Sequence, residues 1–354
     1  MVDLSRPAGV GIEIEASEAA EVLMSICCLA GTEFDTFELG EERIGEIRAG
    51  IDPELLASVN SLAAGPEKIY AHLLGLVYES PSPRTFPAFL QQLEATEPLE
   101  VQLVLLGYYM RDYHHVVPPD AILAAAQGDA AARAHLLELA SEYSETCLTI
   151  ETLFDIGADE LKRRLLAILP RWYDEVFRPL APEALDAAER DAAAKRELAS
   201  TRSAEQMVEL ATNGIQYAPG PAIRKVVLFP TYVLRPWVMF IDHKDVRMYC
   251  YGVGQPLEAG EAPAPAQLAR VFKALGDEGR LRVLKRLSEG PLALGEAAEE
   301  LGVAKSTAHH HLAILRQAGL VLIRPGPEKV YTLRPDLLPQ TGSLLDAYLR
   351  SSNR

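Results

Sequence analysis

G-E-A-A-E-E-L-G-V-A-K-S-T-A-H-H-H-L-A-I-L-R-Q-A-G, residues 295–319, holds two short runs of helical periodicity, each closed by a glycine. Gly302 and Gly319 stand where a helix end calls for the left-handed backbone conformation, which costs glycine least. The pattern predicts a short helix ending at Gly302 and a second ending at Gly319, joined by a tight turn: a helix-turn-helix. In the second helix Ala308, His311, Leu312 and Leu315 recur at i, i+3, i+4 and i+7 and form the packed stripe. Ser306, His310, Ala313 and Gln317 form the opposite stripe, flanked by His309 and Arg316. The three consecutive histidines fan across roughly 200° of the helix, so they cannot converge on one metal ion; that takes i, i+4 spacing.

The elements on either side extend the pattern. A-Q-L-A-R-V-F-K-A-L-G predicts a helix ending at Gly276, and D-E-G-R-L-R-V-L-K-R-L-S-E-G one that runs from an Asp277 N-cap to Gly290. P-L-A-L is a short extended link. L-V-L-I-R-P-G-P-E-K-V-Y-T-L reads as two strands around an R-P-G-P-E turn, a hairpin wing. An outer stripe of small and polar residues suits a helix lying in a major groove, with Lys305, Ser306 and Thr307 near its N-terminus. Candidate DNA contacts are therefore Lys305, Ser306, Thr307, His309, His310, Arg316 and Gln317, with Arg324 and Lys329 on the wing. Hydroxyls and neutral imidazoles both donate and accept, so none is assigned to a particular base.

On these phrases, residues 266–334 resemble the winged-helix domain of ArsR/SmtB-type bacterial transcription regulators. F-K-A-L-G-D-E-G-R-L-R-V-L-K-R-L, L-G-E-A-A-E-E-L-G and S-T-A-H-H-H-L-A-I-L-R-Q-A-G-L-V carry the likeness, over about a fifth of the chain. The resemblance implies a homodimer on a partly palindromic double-stranded DNA operator, acting as a repressor released by a signal. The chain departs from the family at Glu278 and Gly279, where proline and a small polar residue are usual, and at Ala304, where serine or threonine is. Metal-sensing members carry a thiolate pair in the segment leading into the helix-turn-helix, where this chain has L-A-L-G-E, and carboxylate and histidine ligands on the last helix, where L-L-P-Q-T-G-S-L-L-D-A-Y-L holds no histidine. A non-metal signal, such as a small-molecule effector, is the expectation; no metal site and no cofactor are called for. A non-standard metal or thiol site is the alternative: His114 and His115 are adjacent, but read more simply as a helix end.

Net charge is −16 over 354 residues, but it is unevenly spread. Residues 266–354 hold 13 Lys and Arg against 9 Asp and Glu, a surplus of four positive charges; the remainder holds 21 against 41. An acidic body carrying a mildly basic module points to different tasks for the two, the basic part being the one to meet nucleic acid. The acidic body is expected to hold down non-specific DNA affinity by repelling phosphate. V-G-Q-P-L-E-A-G-E-A-P-A-P-A, rich in Pro, Gly and Ala, reads as a semi-stiff linker. The expected division is 1–252 acidic sensor and dimerisation domain, 253–266 linker, 267–335 winged helix-turn-helix and 336–354 a C-terminal helix that serves dimerisation.

The fold class expected is mainly α with small β elements. The strand V-G-I-E-I-E leads into helices over about 17–30, 53–64, 66–78, 85–96, 98–115, 119–127, 129–144, 159–178 and 182–213. R-K-V-V-L-F-P-T-Y-V and P-W-V-M-F-I-D-H-K-D-V-R-M-Y-C-Y-G then read as a short antiparallel sheet. Tyr108, Tyr109, Tyr113, Trp172 and Trp237 either line an apolar effector pocket or form plain core. Cys27 and Cys28 are either a redox or metalloid sensor or small apolar residues of a buried helix.

No run is apolar enough over about 18 residues to span a membrane, the start lacks a signal-peptide pattern, and four cysteines make no disulfide framework, so a cytoplasmic protein is expected. With no P-loop, G-x-S-x-G or H-E-x-x-H, an enzyme is not expected. The competing reading is a winged-helix protein-interaction module on a structural or enzymatic body.

Overall fold

In the computed structural model the described residues are 10–31, 37, 39–62, 66–114, 117–141, 144–217, 220, 222–235, 237–254, 265–324, 329–334, 342, 345–346 and 348–350. They divide into two compact units: residues 1–200 with 221–253, and residues 201–220 with 254–354.

The first unit begins with β1 (Gly11–Ile14) and α1 (Glu18–Leu29). Then come α2 (Glu41–Ala49), α3 (Pro53–Asn60), α4 (Pro66–His72), α5 (Leu74–Glu79), α6 (Phe86–Ala95) and α7 (Pro98–Leu105). Five more helices follow: α8 (Pro119–Ala126), α9 (Ala130–Ala140), α10 (Ser144–Ile156), α11 (Ala158–Trp172) and α12 (Ala181–Ala199). Helix starts obey simple chemistry. The Ser17 hydroxyl accepts from Ala20 N–H at 3.2 Å, Asp52 accepts from Glu54 N–H at 2.9 Å, and prolines open α3, α6 and α7, where their missing N–H costs nothing. α1 is buried almost all round and, with the wholly buried Val101–Leu105 of α7, belongs to the unit's core.

Several helices differ from expectation. The 66–78 helix is broken at Leu73, and the 98–115 helix stops at Leu105, two residues before Gly107 takes φ +77°. The 182–213 helix is interrupted by Ser203, which makes a reciprocal capping box with Gln206. The sequence pattern does not predict α2 and α10; Gly45 dilutes the pattern of one and β-branched residues that of the other.

The sheet of this unit corrects the antiparallel expectation. Its order is β1-β2-β4-β3, with β2 (Lys225–Thr231), β3 (Val238–His243) and β4 (Val246–Gly252). β1 runs parallel to β2 with Gly11 opposite Lys225, and β2 runs parallel to β4 with Lys225 opposite Val246; only β3 and β4 pair antiparallel, as a hairpin turning at Lys244. Parallel partners are joined by long connections, so no local turn signal announces them. β4 is buried along its whole length, as a strand covered on both faces is.

The second unit starts with α13 (Ala204–Thr212), which the expected 1–252 body had included. It continues with α14 (Pro265–Leu275), α15 (Glu278–Leu287), β5 (Leu292–Ala293), α16 (Leu294–Leu301), α17 (Lys305–Gln317), β6 (Val321–Arg324) and β7 (Val330–Leu333). The strands form a sheet of order β5-β7-β6. Val283, Leu287, Ala297, Ala308, Leu312, Leu315 and Tyr331 build its core. α13 ends on Asn213 at φ 52° and Gly214 at φ +119°, after which residues 214–216 run along the free edge of β6. There Gln216 N–H donates to Ile323 O and Ile323 N–H to Gly214 O, each at 2.8 Å. A bare edge strand is thereby covered. The R-P-G-P-E wing turn, most of the expected linker and most of the expected C-terminal helix lie outside the described residues.

Candidate nucleic-acid interface

α16 and α17 form the helix-turn-helix. The Glu296 carboxylate accepts from Ala293 N–H at 2.8 Å to start α16, and Gly302, in the left-handed region at φ +69°, ends it. Packing of Ala308, Leu312 and Leu315 into the core presents the opposite side of the first turn of α17 to solvent, so Lys305, Ser306 and Thr307 are exposed. Ala304, the N-cap residue, supplies no side-chain hydrogen bond, and the first backbone bond of the helix runs from Ala308 N–H to Ala304 O at 3.0 Å. The amides of residues 305–307 therefore have no intrahelical acceptor, and with the positive end of the helix dipole they suit a phosphate oxygen.

His309 and His310 follow, both half-buried. Burial first, then the nearby Lys329 and Arg316 charges and the neighbouring His310 ring, hold His309 below the ordinary imidazole range. His309 is thus neutral at pH 7, able to donate or accept. The influence of Lys329 also puts the base of the wing in its electrostatic neighbourhood. Arg324 and Lys329 are exposed at the ends of β6 and β7. His311 sits at the core edge as its spacing predicts, with Nδ1 3.8 Å from the Asp277 carboxylate, and burial lowers its pKa as well. Asp277 caps α15 by accepting from Arg280 N–H at 2.9 Å. A Cβ on Gly279 would sit 3.3 Å from that carboxylate and 3.7 Å from the His311 ring, so a residue without a side chain suits this position.

Two expected contacts are not on the exposed face. Arg316 is 7% and Gln317 6% exposed, and Ala313 is buried beside them. The Arg316 guanidinium donates to Thr212 O, and its pKa is pushed down to about 10, chiefly by burial. Gln317 O accepts from Asn213 Nδ2 at 2.8 Å, while its own amide nitrogen is buried without a partner. The outer stripe is therefore open only over its N-terminal half. The end of α13 covers the rest, a contact across 104 residues of sequence that helical periodicity cannot register. The helix stop N-G at 213–214 is the one local sign of it. The sequence pattern does not single out Arg282 and Lys285, which are exposed on α15; Arg282 donates to Glu300 O at 2.6 Å and Lys285 lies 3.7 Å from Glu289.

In the first unit, Trp172 is fully buried and its indole N–H donates to Ser25 Oγ at 2.9 Å, so it is core rather than pocket wall. Tyr109 meets Tyr108 edge-on at 4.9 Å and His243 at 4.5 Å, and donates from its hydroxyl to Glu100 at 2.7 Å. Trp237 is half-buried against the core, and the Tyr113 side chain lies outside the described residues. Cys27, Cys28 and Cys250 are buried thiols that form no disulfide. Burial pushes Cys28 and Cys250 well above the usual thiol range, which disfavours the reactive thiolate. Among the described residues no group of three or more His, Cys, Asp or Glu is arranged to hold a metal, and no helix is long and apolar enough to cross a membrane.

Comparison with known proteins bears on the second unit. A family profile described as bacterial regulatory protein, arsR family, matches residues 277–322. The chain is 40% identical over 80 residues to the HTH-type transcriptional regulator Rv2034 of Mycobacterium tuberculosis, a match spanning 22% of this chain and 75% of that protein. It is 37% identical over 83 residues to the regulator NmtR of the same organism, spanning 23% of this chain and 69% of that one. The transcriptional repressor SdpR of Bacillus subtilis is 39% identical over 51 residues, 14% of this chain and 57% of its own. Among solved structures, NolR from Sinorhizobium fredii matches at 27% identity with a TM-score of 0.21, covering 27% of this chain and 96% of that one.

Proposed function

Because the chain belongs, through its second unit, to the arsR family of bacterial regulatory proteins and is a DNA-binding transcription regulator, we propose that it is a homodimeric repressor that reads a specific operator and is released by a non-metal effector. The observation that carries the DNA-reading face is the exposed, uncapped first turn of α17, Lys305 to Thr307, at the open side of a helix-turn-helix. Thr307, Ser306, His309 and His310 face base edges; Lys305, Arg324 and Lys329 meet phosphates. The relative SdpR bears the name of a repressor, which supports that sign of regulation. A homodimer is supported by large apolar side chains exposed in this unit: Phe272 at 41%, Leu281 at 49% and Leu349 at 71%.

In this reading the first unit receives the effector and performs no catalysis, and the protein acts in the cytoplasm. The two ligand positions of metal-sensing members, empty of cysteine and histidine in this sequence, support a non-metal signal. The test is fluorescence anisotropy of the full chain against DNA from upstream of its own gene at two salt concentrations. Salt-sensitive binding to one fragment, competed poorly by unrelated DNA, is expected. Absence of such binding to any fragment refutes operator reading and favours a protein-interaction module.

A further inference from the structure

Residues 201–217 belong to the second unit, yet the elements before and after them, α12 and β2, belong to the first. The chain enters the second unit, leaves it, and enters again after residue 253. The helix that precedes this excursion and the end of α13 within it are each held by buried or half-buried polar contacts.

Within the first unit, the last turns of α12 are tied to the sheet. Lys195, only 4% exposed, pairs with Asp191 at 2.7 Å, and its ammonium lies 4.9 Å from the centre of the Tyr251 ring. Tyr251 on β4 donates to Asp191 at 2.7 Å, and Arg196 donates to Ile14 O on β1 at 3.0 Å. Residues 200–203 alone separate the end of α12 from the start of α13, too short a spacer to absorb much movement.

Within the second unit, Thr212–Asn213–Gly214 close on α17 and the wing together. Arg316 donates to Thr212 O, Asn213 donates to Gln317 O at 2.8 Å, and Arg334 beyond β7 donates to Asn213 Oδ1 at 3.2 Å. Gly214 lies so close to β6 that a Cβ would stand 3.0 Å from Val321 O. A buried guanidinium that lost Thr212 O would be left poorly solvated, so the contacts open together rather than one by one.

We propose that residues 201–217 are a transmission strap: movement of the α12 end in the first unit passes through residues 200–203 to the Thr212–Gly214 clasp, and thence to α17 and the wing, changing DNA affinity. The proposal rests on the DNA-binding reading of α17. Coupling of binding free energies is reciprocal, so DNA bound on α17 slows opening of the clasp.

The test uses the full chain in two forms, one natural and one slackened by ten Gly/Ser residues after Ser200 and ten after Gly220. Tyr251→Phe perturbs the anchor in the first unit without touching α17 or the clasp. Hydrogen exchange at the Gln216 and Ile323 amides reads the clasp, and anisotropy with the upstream DNA fragment reads affinity. Expected in the natural form is about tenfold faster exchange at both amides and about tenfold weaker DNA binding, with neither change in the slack form. Asn213→Ala, which breaks the clasp itself, weakens binding in both forms. The strap is overturned if Tyr251→Phe changes neither readout in the natural form, or changes both equally in the slack one. If exchange responds as expected while no fragment is bound, the strap stands as a link to the second unit and the DNA-binding reading falls.

Discussion

Ala304→Asp separates stability from DNA recognition, because it should move the two in opposite directions. The N-cap of α17 makes no side-chain hydrogen bond, and the amides of residues 305–307 lack intrahelical acceptors. An aspartate there can accept from them, as Asp277 does at the start of α15, and gains about 1 kcal/mol as a cap. Its charge at the helix N-terminus adds about 0.3–1 kcal/mol more. For a unit of this size that is a rise of roughly 4–12 °C in the melting transition. The same carboxylate would occupy the position offered to phosphate. At a separation of about 6 Å and an effective dielectric between 20 and 80, repulsion costs about 1–3 kcal/mol, or roughly five- to 150-fold in affinity. The dependence of log affinity on log salt should also fall by about one contact. Calorimetry of the full chain and salt-titrated anisotropy read the two effects. A raised melting temperature with unchanged DNA affinity would refute the placement of α17 against the phosphate backbone, and misfolding could not be blamed.

Thr307→Ala and His310→Ala are each expected to lose about 1–3 kcal/mol on the operator and little on unrelated DNA, whereas Lys305→Ala weakens both and lowers the salt slope by about one; competition binding at several salt concentrations distinguishes them. Gly214→Ala places a Cβ 3.0 Å from Val321 O at φ +119°, and should destabilise the second unit by about 1–3 kcal/mol from backbone strain alone, read as a lowered melting temperature of that unit. Glu21 is fully buried and its pKa is raised to about 8 by burial, against which the Tyr232 and Val233 amides work by donating to it at 2.9 Å. A pKa above the unfolded value means stability that is full below about pH 4.5 and is lost as pH rises toward 8, so urea unfolding should show the first unit weakening over that window by up to about 1.4 kcal/mol per pH unit, and Glu21→Gln should flatten the slope.

The helix-turn-helix was legible because every signal for it is short-range. Gly302 ends α16 in the left-handed region, Asp277 caps α15, and the spacing of Ala308, Leu312 and Leu315 sets which side of α17 is buried. The same spacing placed His311 at the core edge, and showed that the histidine run makes no metal site within one helix. The exposed first turn of the reading helix followed directly from it.

Periodicity reports only whether a residue faces its own helix's main packing partner, so it was silent on a second partner. By spacing alone Arg316 and Gln317 are groove residues, but the end of α13, 104 residues earlier in the chain, covers them. The β1–β2 parallel pairing was invisible for a like reason: Gly11 meets Lys225 across most of the first unit, and no turn joins them. Backbone propensity, caps and the hydrophobic period are local properties, and they determined the C-terminal helices and their faces. Which strands pair, which segment joins which unit, and which arginine is free to meet a phosphate depend on burial between distant segments, whose free energy becomes visible only when the chain is folded.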